Sequence, residues 1–223
     1  MKKAANKRGS ERDPLYCFLV FILVTGAATS VHRLDIPYDS ILIPVLWGMG
    51  AVLPLRTGDG NLLTFGLTAL RLGTNIRYFL VSSLVVFPLF AAGFWLYVRW
   101  GFSLPVTAPF EGVPIPSWLA YNFLAVALFE ELFFRGFVQG RFERFAKARI
   151  EGPAVRFWTP ILVSALLFAI AHVAVYLDPL RLAVFFPGLL FGWLRARTGS
   201  LLAPILSHGS ANVLSMLLIR SVS

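Results

Sequence analysis

The chain has 223 residues, of which 57% are hydrophobic and 14% charged, with a mean hydropathy of +0.74. Soluble domains carry about 25% charge, so the composition excludes a water-soluble globular protein and requires a polytopic membrane protein, all-α, in a single membrane domain. The net charge of +9 is spread over short polar stretches and not gathered in one patch, which excludes nucleic acid as a partner and makes the lipid bilayer the chain's surroundings.

Residues 1–14 read as a basic, polar, mobile tail on the cytoplasmic side. Seven apolar segments follow, each near the ~20 residues that a spanning helix needs. They are Leu15–Val31, Ile41–Leu55, Tyr78–Val98, Ser117–Gln139, Trp158–Leu177, Leu180–Leu194 and Leu201–Ile219. The expected architecture is a polytopic transmembrane helix bundle of about seven spans over residues 15–223. Cys17, the single cysteine, lies in the first segment and reads as a small hydrophobe; one cysteine excludes an intramolecular disulfide and a thiolate metal cluster. The basic start, the apolar run and Gly26-Ala27-Ala28 also have the outline of a signal peptide, but the chain continues as a polytopic protein and an uncleaved first span is expected. Gly66–Arg77 has room for a re-entrant or interfacial piece. Pro88 is expected to kink the third segment. Pro187 is expected to break or tilt the short sixth, where Gly188 and Gly192 permit close helix contact.

Lysine and arginine orient these spans. With the N-terminus in the cytoplasm, 15 of the 20 basic residues fall on that side, four fall outside, and Arg135 lies within a segment. That asymmetry predicts a cytoplasmic N-terminus and an outer C-terminus. The localisation it suggests is an inner membrane of bacterial type.

The fourth segment carries Glu130, Glu131 and Arg135. A charge at the bilayer centre costs roughly 2.5–3.5 kcal/mol on insertion scales and persists for function. Glu131 and Arg135 are spaced i, i+4 and can pair on one helix face, which lowers the cost of both. Glu130 is about 100° around the helix, so the simplest division gives Glu131 to Arg135 as a structural ion pair and leaves Glu130 for chemistry. The bland alternative pairs both acids with Arg135 to fix helix packing.

Two of the three histidines also lie in apolar runs. His172 follows Phe168 by four residues, which puts that ring on its face. His208 and Asn212 repeat the i, i+4 spacing near Pro204, which suits a first helical turn. Each motif alone suits a polar contact between helices. Jointly, three helices supply a base, a histidine and a pair of hydrogen-bond donors. Water needs a base to become a nucleophile, and the oxyanion of amide hydrolysis needs fixed donors. No serine carries a nucleophile motif. Depths reckoned from the segment ends at ~1.5 Å per residue leave Glu130, His172 and His208 spread over ~11 Å, wider than one site tolerates.

The pattern Glu130-Glu131-x-x-x-Arg135, Phe168-x-x-x-His172 and His208-x-x-x-Asn212 resembles the CPBP family of intramembrane proteases, also called the Abi or type II CAAX prenyl protease family. The stretch Phe191 to Asn212 resembles that family's last block, and the likeness covers about Leu119 to Leu218. The resemblance implies an intramembrane endopeptidase with its protease core at about 117–219. Glu130 and His172 would activate the water, Arg135 would hold Glu131, and His208 with Asn212 would stabilise the oxyanion. It implies a peptide or protein substrate in or at the membrane, a C-terminal tail being one form. The family has been described both as glutamate-dependent without cofactor and as a metallopeptidase. Zinc on Glu130, His172 and His208 is chemically reasonable. The metal-free route is preferred, because no HExxH helix is present and Arg135 competes for Glu131. A membrane transporter, and a non-catalytic immunity or processing factor, are the other readings of buried Glu, Arg and His.

Overall fold

The computed structural model describes residues 2–56, 65–67, 71–101 and 114–222. Among these, all regular structure is helical. Seven helices follow in order: α1 (Lys2–Arg33), α2 (Asp39–Arg56), α3 (Leu72–Gly101), α4 (Ile115–Arg149), α5 (Pro153–Tyr176), α6 (Phe185–Thr198) and α7 (Leu202–Arg220). Each of the seven apolar segments corresponds to one helix. Five of them, in α1, α3, α4, α5 and α7, are long and apolar enough to cross a membrane, and α2 and α6 are shorter. The chain is a helical integral membrane protein.

Several boundaries differ from the sequence reading, for local reasons. α1 begins at Lys2, so the backbone of the expected tail is helical and continuous with the first span. Of Gly66–Arg77, residues 68–70 lie outside the described residues, and α3 opens at Leu72. The sixth segment is divided: Asp178 caps a 3₁₀ turn over Pro179–Val184, accepting from Leu180 N at 3.0 Å, and α6 starts only at Phe185. Pro187 then falls in the first turn of α6, where a missing N–H costs nothing.

The largest difference is in α4. It runs on past Gln139 to Arg149, and two stretches are wound as π-helix, Tyr121–Ala127 and Leu132–Gln139, with the acidic pair between them in Leu128–Glu131. Only Ile150–Gly152 separates α4 from α5. The two therefore form a helical hairpin, and residues at equal distance from the turn face each other. Glu130 and His172 each lie nineteen residues from the hairpin turn. This removes the depth mismatch between them, which came from ending the fourth helix ten residues early.

Packing places the hairpin at the centre. α1 packs on α2, α4 and α5; α3 lies outermost against α6 and α7, with none of its spanning window buried. Asn75 of α3 accepts from Ala203 N at 3.3 Å and so ties α3 to the start of α7. The buried core is aromatic: Phe133, Phe134, Phe137 and Phe168 are almost fully enclosed, with Trp47 against Phe133 and Phe134. Leu19, Leu23, Leu80, Leu84 and Leu89 are exposed, as a lipid-facing surface requires. Cys17 belongs to the buried core. The third histidine, His32, lies apart; its Nδ1 meets Asp39 Oδ2 at 2.8 Å and closes the α1–α2 connection.

Candidate active site

Glu131 and Arg135 are completely buried one turn apart on α4. Arg135 Nε stands 3.2 Å from Glu131 Oε2, but neither atom makes a well-directed hydrogen bond. The contact is thus an ion pair more than a directed bond. Arg135 is fixed from other directions. Its Nη2 donates to Gly188 O at 3.1 Å, and its guanidinium lies 4.6 Å from the Phe168 ring centre and 5.3 Å from that of Phe191. Such rings stabilise a desolvated cation.

The same geometry repeats one turn on. Gln139 Nε2 donates to Gly192 O at 3.0 Å. Arg135 and Gln139 on α4 thus meet Gly188 and Gly192 on α6, with an i, i+4 spacing on each side. The glycines pack closely on α5: a Cβ on Gly188 would lie 3.3 Å from Ala165 Cβ, and one on Gly192 would lie 3.0 Å from Ile161 Cγ2, so a larger residue would make α5 give way by a few tenths of an ångström. Ser164 of α5 adds a bond to Phe134 O at 2.8 Å.

His208 comes to this cluster from α7. Its Nδ1 meets Glu131 Oε1 at 2.8 Å. Because the partner is a carboxylate, Nδ1 is the donor. Glu131 is therefore shared between Arg135 and His208. The Phe191 ring stacks on the imidazole at 4.9 Å with only 15° between planes, and Phe168 meets it edge-on at 5.8 Å. His172 of α5 is fixed in a parallel way. Its Nδ1 lies 2.9 Å from Phe168 O, a carbonyl, so Nδ1 again donates. The Phe168 ring braces it at 4.4 Å.

Both histidines consequently present Nε2 to one carboxylate. Glu130 Oε2 lies 3.7 Å from His208 Nε2 and 3.9 Å from His172 Nε2. These distances are too long for direct hydrogen bonds, and Glu130 Oε2 is buried without a hydrogen-bond partner among the described residues. Three polar atoms from three helices thus face one small volume, while Glu130 makes no ion pair with Arg135. Among the described residues, no group of three His, Cys, Asp or Glu has the spacing of a metal site. Asn212, one turn beyond His208 on α7, is half-buried and makes no hydrogen bond among those residues.

The sequence reading did not single out Phe191, Gln139, Ser164 or Tyr176. Phe191 lay in the quoted last block, yet nothing marks an aromatic residue as a stacking partner before its neighbour helix is known. Gln139 carried a usable signal, an amide at i+4 from a buried arginine. Tyr176 stands 6.3 Å from His172 and 5.0 Å from His32, at the end of α5.

Glycine also sets the last approach. A Cβ on Gly209 would fall 2.5 Å from Phe123 Cδ1, so glycine at 209 lets α7 lie this close to α4 with the Phe123 ring in place, which brings His208 to Glu131. Comparison with protein families matches residues 112–214 to the type II CAAX prenyl endopeptidase Rce1-like family. Comparison with curated proteins and with solved structures gives no match. The matched segment, just under half of the chain, contains all seven motif residues from Glu130 to Asn212, in the order the motif resemblance requires, and over it the chain is similar to the Rce1-like, type II CAAX prenyl endopeptidase family.

Proposed function

We propose that the protein is an intramembrane endopeptidase that hydrolyses a peptide bond of a membrane-associated substrate with water activated by Glu130. The observation that carries this reading is the convergence of Glu130 Oε2 with His172 Nε2 and His208 Nε2, at 3.9 and 3.7 Å. A water seated among them would direct one proton to Glu130 and the other to His172. Attack on the substrate carbonyl passes the first proton to Glu130, which then gives it to the leaving amine as the C–N bond breaks.

His208 and Asn212 serve the oxyanion. With Nδ1 committed to Glu131, His208 donates from Nε2 when it holds a second proton. In that state the buried cluster of Glu130, Glu131, Arg135 and His208 carries two negative and two positive charges, which is the neutral balance an apolar setting favours. Glu131 supports the imidazolium as a positioning residue. Asn212 supplies the neutral donor from the next turn of α7.

The charge distribution supports a cytoplasmic N-terminus. The family's printed name supports a substrate presented at the membrane, with a C-terminal tail as its form. Purified full-length protein in detergent, offered a mixture of fluorogenic peptides, should release peptide fragments, and Glu130→Gln should release none while keeping the parental elution profile. Substantial cleavage by a well-folded Glu130→Gln protein would remove the general-base assignment.

A further inference from the structure

A second site lies at the hairpin end of the bundle. A cavity of about 430 Å³ opens there between the ends of α4, α5 and α6, lined by Glu143, Lys147, Arg156, Phe157, Arg195 and Ala196 among others. Glu143 is thirteen residues from Glu130 along α4, or roughly 20 Å. The cavity is therefore separate from the candidate active site.

Its charge is unbalanced. Three cations face one carboxylate, and Glu143 Oε1 already accepts from Gln139 Nε2 at 3.1 Å. Arg195 is only 7% exposed, and its Nε finds no acceptor among the described residues. A buried guanidinium without an acceptor is costly unless a ligand supplies one. The fold makes room for this side chain. Gly66 has φ +83°, and a Cβ there would come within 2.9 Å of Arg195 Nε. Leu201 N in turn holds Gly66 O at 2.8 Å. Arg156 is fixed by donating from Nε and Nη2 to Ile150 O at 3.2 and 3.0 Å, which leaves Nη1 free of that carbonyl. Lys147 is exposed and makes no ion pair among the described residues. Gly152 offers no side-chain cap at the start of α5, so the open N-terminus of that 24-residue helix adds partial positive charge beside Pro153 and Arg156.

We infer that this cavity binds a phosphate-type oxyanion, supplied by the headgroup of an anionic phospholipid. Two guanidiniums, an ammonium and a helix N-terminus suit a multidentate oxyanion. Phe157 on the rim, itself covered by Arg197 at 5.1 Å, gives the acyl chain an apolar side to follow. The cavity lies where a headgroup sits, at the basic end of the spans.

The test uses the full-length protein in detergent and reads thermal stability against short-chain phosphatidylglycerol, short-chain phosphatidylcholine and inorganic phosphate. Phosphatidylglycerol should raise Tm saturably, and phosphatidylcholine should not. Arg156→Gln should weaken apparent affinity by roughly fivefold, the usual effect of one lost basic residue near an anionic headgroup, and Lys147→Glu by more. Arg149→Gln, on the same helix end but outside the cavity lining, should leave affinity unchanged. Arg195 stays intact because of its burial. If inorganic phosphate saturates in the same range with the same dependence on Lys147 and Arg156, the oxyanion pocket stands and free phosphate is its source. The inference is overturned if neither ligand stabilises the protein saturably. It is equally overturned if Lys147→Glu and Arg156→Gln lose no more than Arg149→Gln.

Discussion

Glu131 Oε1 accepts from His208 Nδ1 at 2.8 Å, while Oε2 of the same carboxylate faces Arg135. One buried acid therefore joins α4 to α7 and decides which nitrogen of His208 points at Glu130. Glu131→Gln keeps the shape but removes the charge that supports a protonated His208. It should lower kcat by about 10²–10⁴ with little change in KM, since a carboxylate that orients a catalytic histidine has that order of effect. A variant with parental kcat would separate Glu131 from the chemistry.

Arg135→Ala should damage folding more than Glu131→Gln does. Among the described residues it removes the only basic group within ion-pair distance of Glu131 apart from His208, together with the bond to Gly188 O. Breaking a buried pair from one side costs about 3–5 kcal/mol. The expected outcome is a lower yield of monodisperse protein and a lower Tm. Arg135→Lys should recover part of the yield but not the planar stacking between Phe168 and Phe191. Parental yield and Tm in Arg135→Ala would refute the anchoring role.

Asn212 and zinc content are measured together. As an oxyanion donor, Asn212 should show its effect in single-turnover rate, with Asn212→Ala slower by about 10²–10³ and substrate affinity nearly unchanged. The double variant with His208→Ala should lose less than the product of the two single losses, because both would act on one oxygen. Zinc at one equivalent that disappears with His208→Ala but not with Asn212→Ala would replace this assignment with a metallopeptidase site.

Gly209→Ala tests helix approach alone, because it adds one methyl and no charge. The added Cβ would fall within 2.8 Å of three Phe123 ring atoms, so α7 must move outward or the ring must turn. Activity should fall at least tenfold, and Phe123→Ala in the same chain should restore part of it by removing the obstructing ring. No loss in Gly209→Ala would mean that the α4–α7 spacing is not limiting.

The acids, the arginine and both histidines were legible in the sequence because charge in an apolar run has few structural uses. The i, i+4 rule was enough to pair Glu131 with Arg135. Helix ends were less legible. Gly140–Arg149 is polar enough to read as a loop, yet it continues α4, and the depth of Glu130 was misjudged for that reason. The second attachment of Glu131, to His208, could not be read at all. It depends on how closely α7 approaches α4, and a glycine reports closeness only when the facing residue, here Phe123, is known. The backbone bonds to Gly188 and Gly192 were hidden for the same reason: the glycines announced a contact but not its partner.

The two widened stretches of α4 bear on how such a site tolerates change in length. A π turn holds about one residue more than an α turn, so each stretch has the outcome of a residue spliced into an ordinary helix. Removing one residue from Tyr121–Ala127 would let that stretch rewind as α-helix while the halves of the span on either side keep nearly their present phase, so Glu130 keeps its aspect and the side chains inside the stretch, Phe123 among them, shift. Removing one from Leu132–Gln139 would act in the same way on the side chains around Arg135. A deletion from an ordinary α-helical turn, such as one in Gly140–Arg149, has no wide turn to absorb it and rotates what lies beyond by about 100°. Single-residue deletions inside the two widened stretches should therefore disturb the helix packing less than deletions in the regular turns beside them.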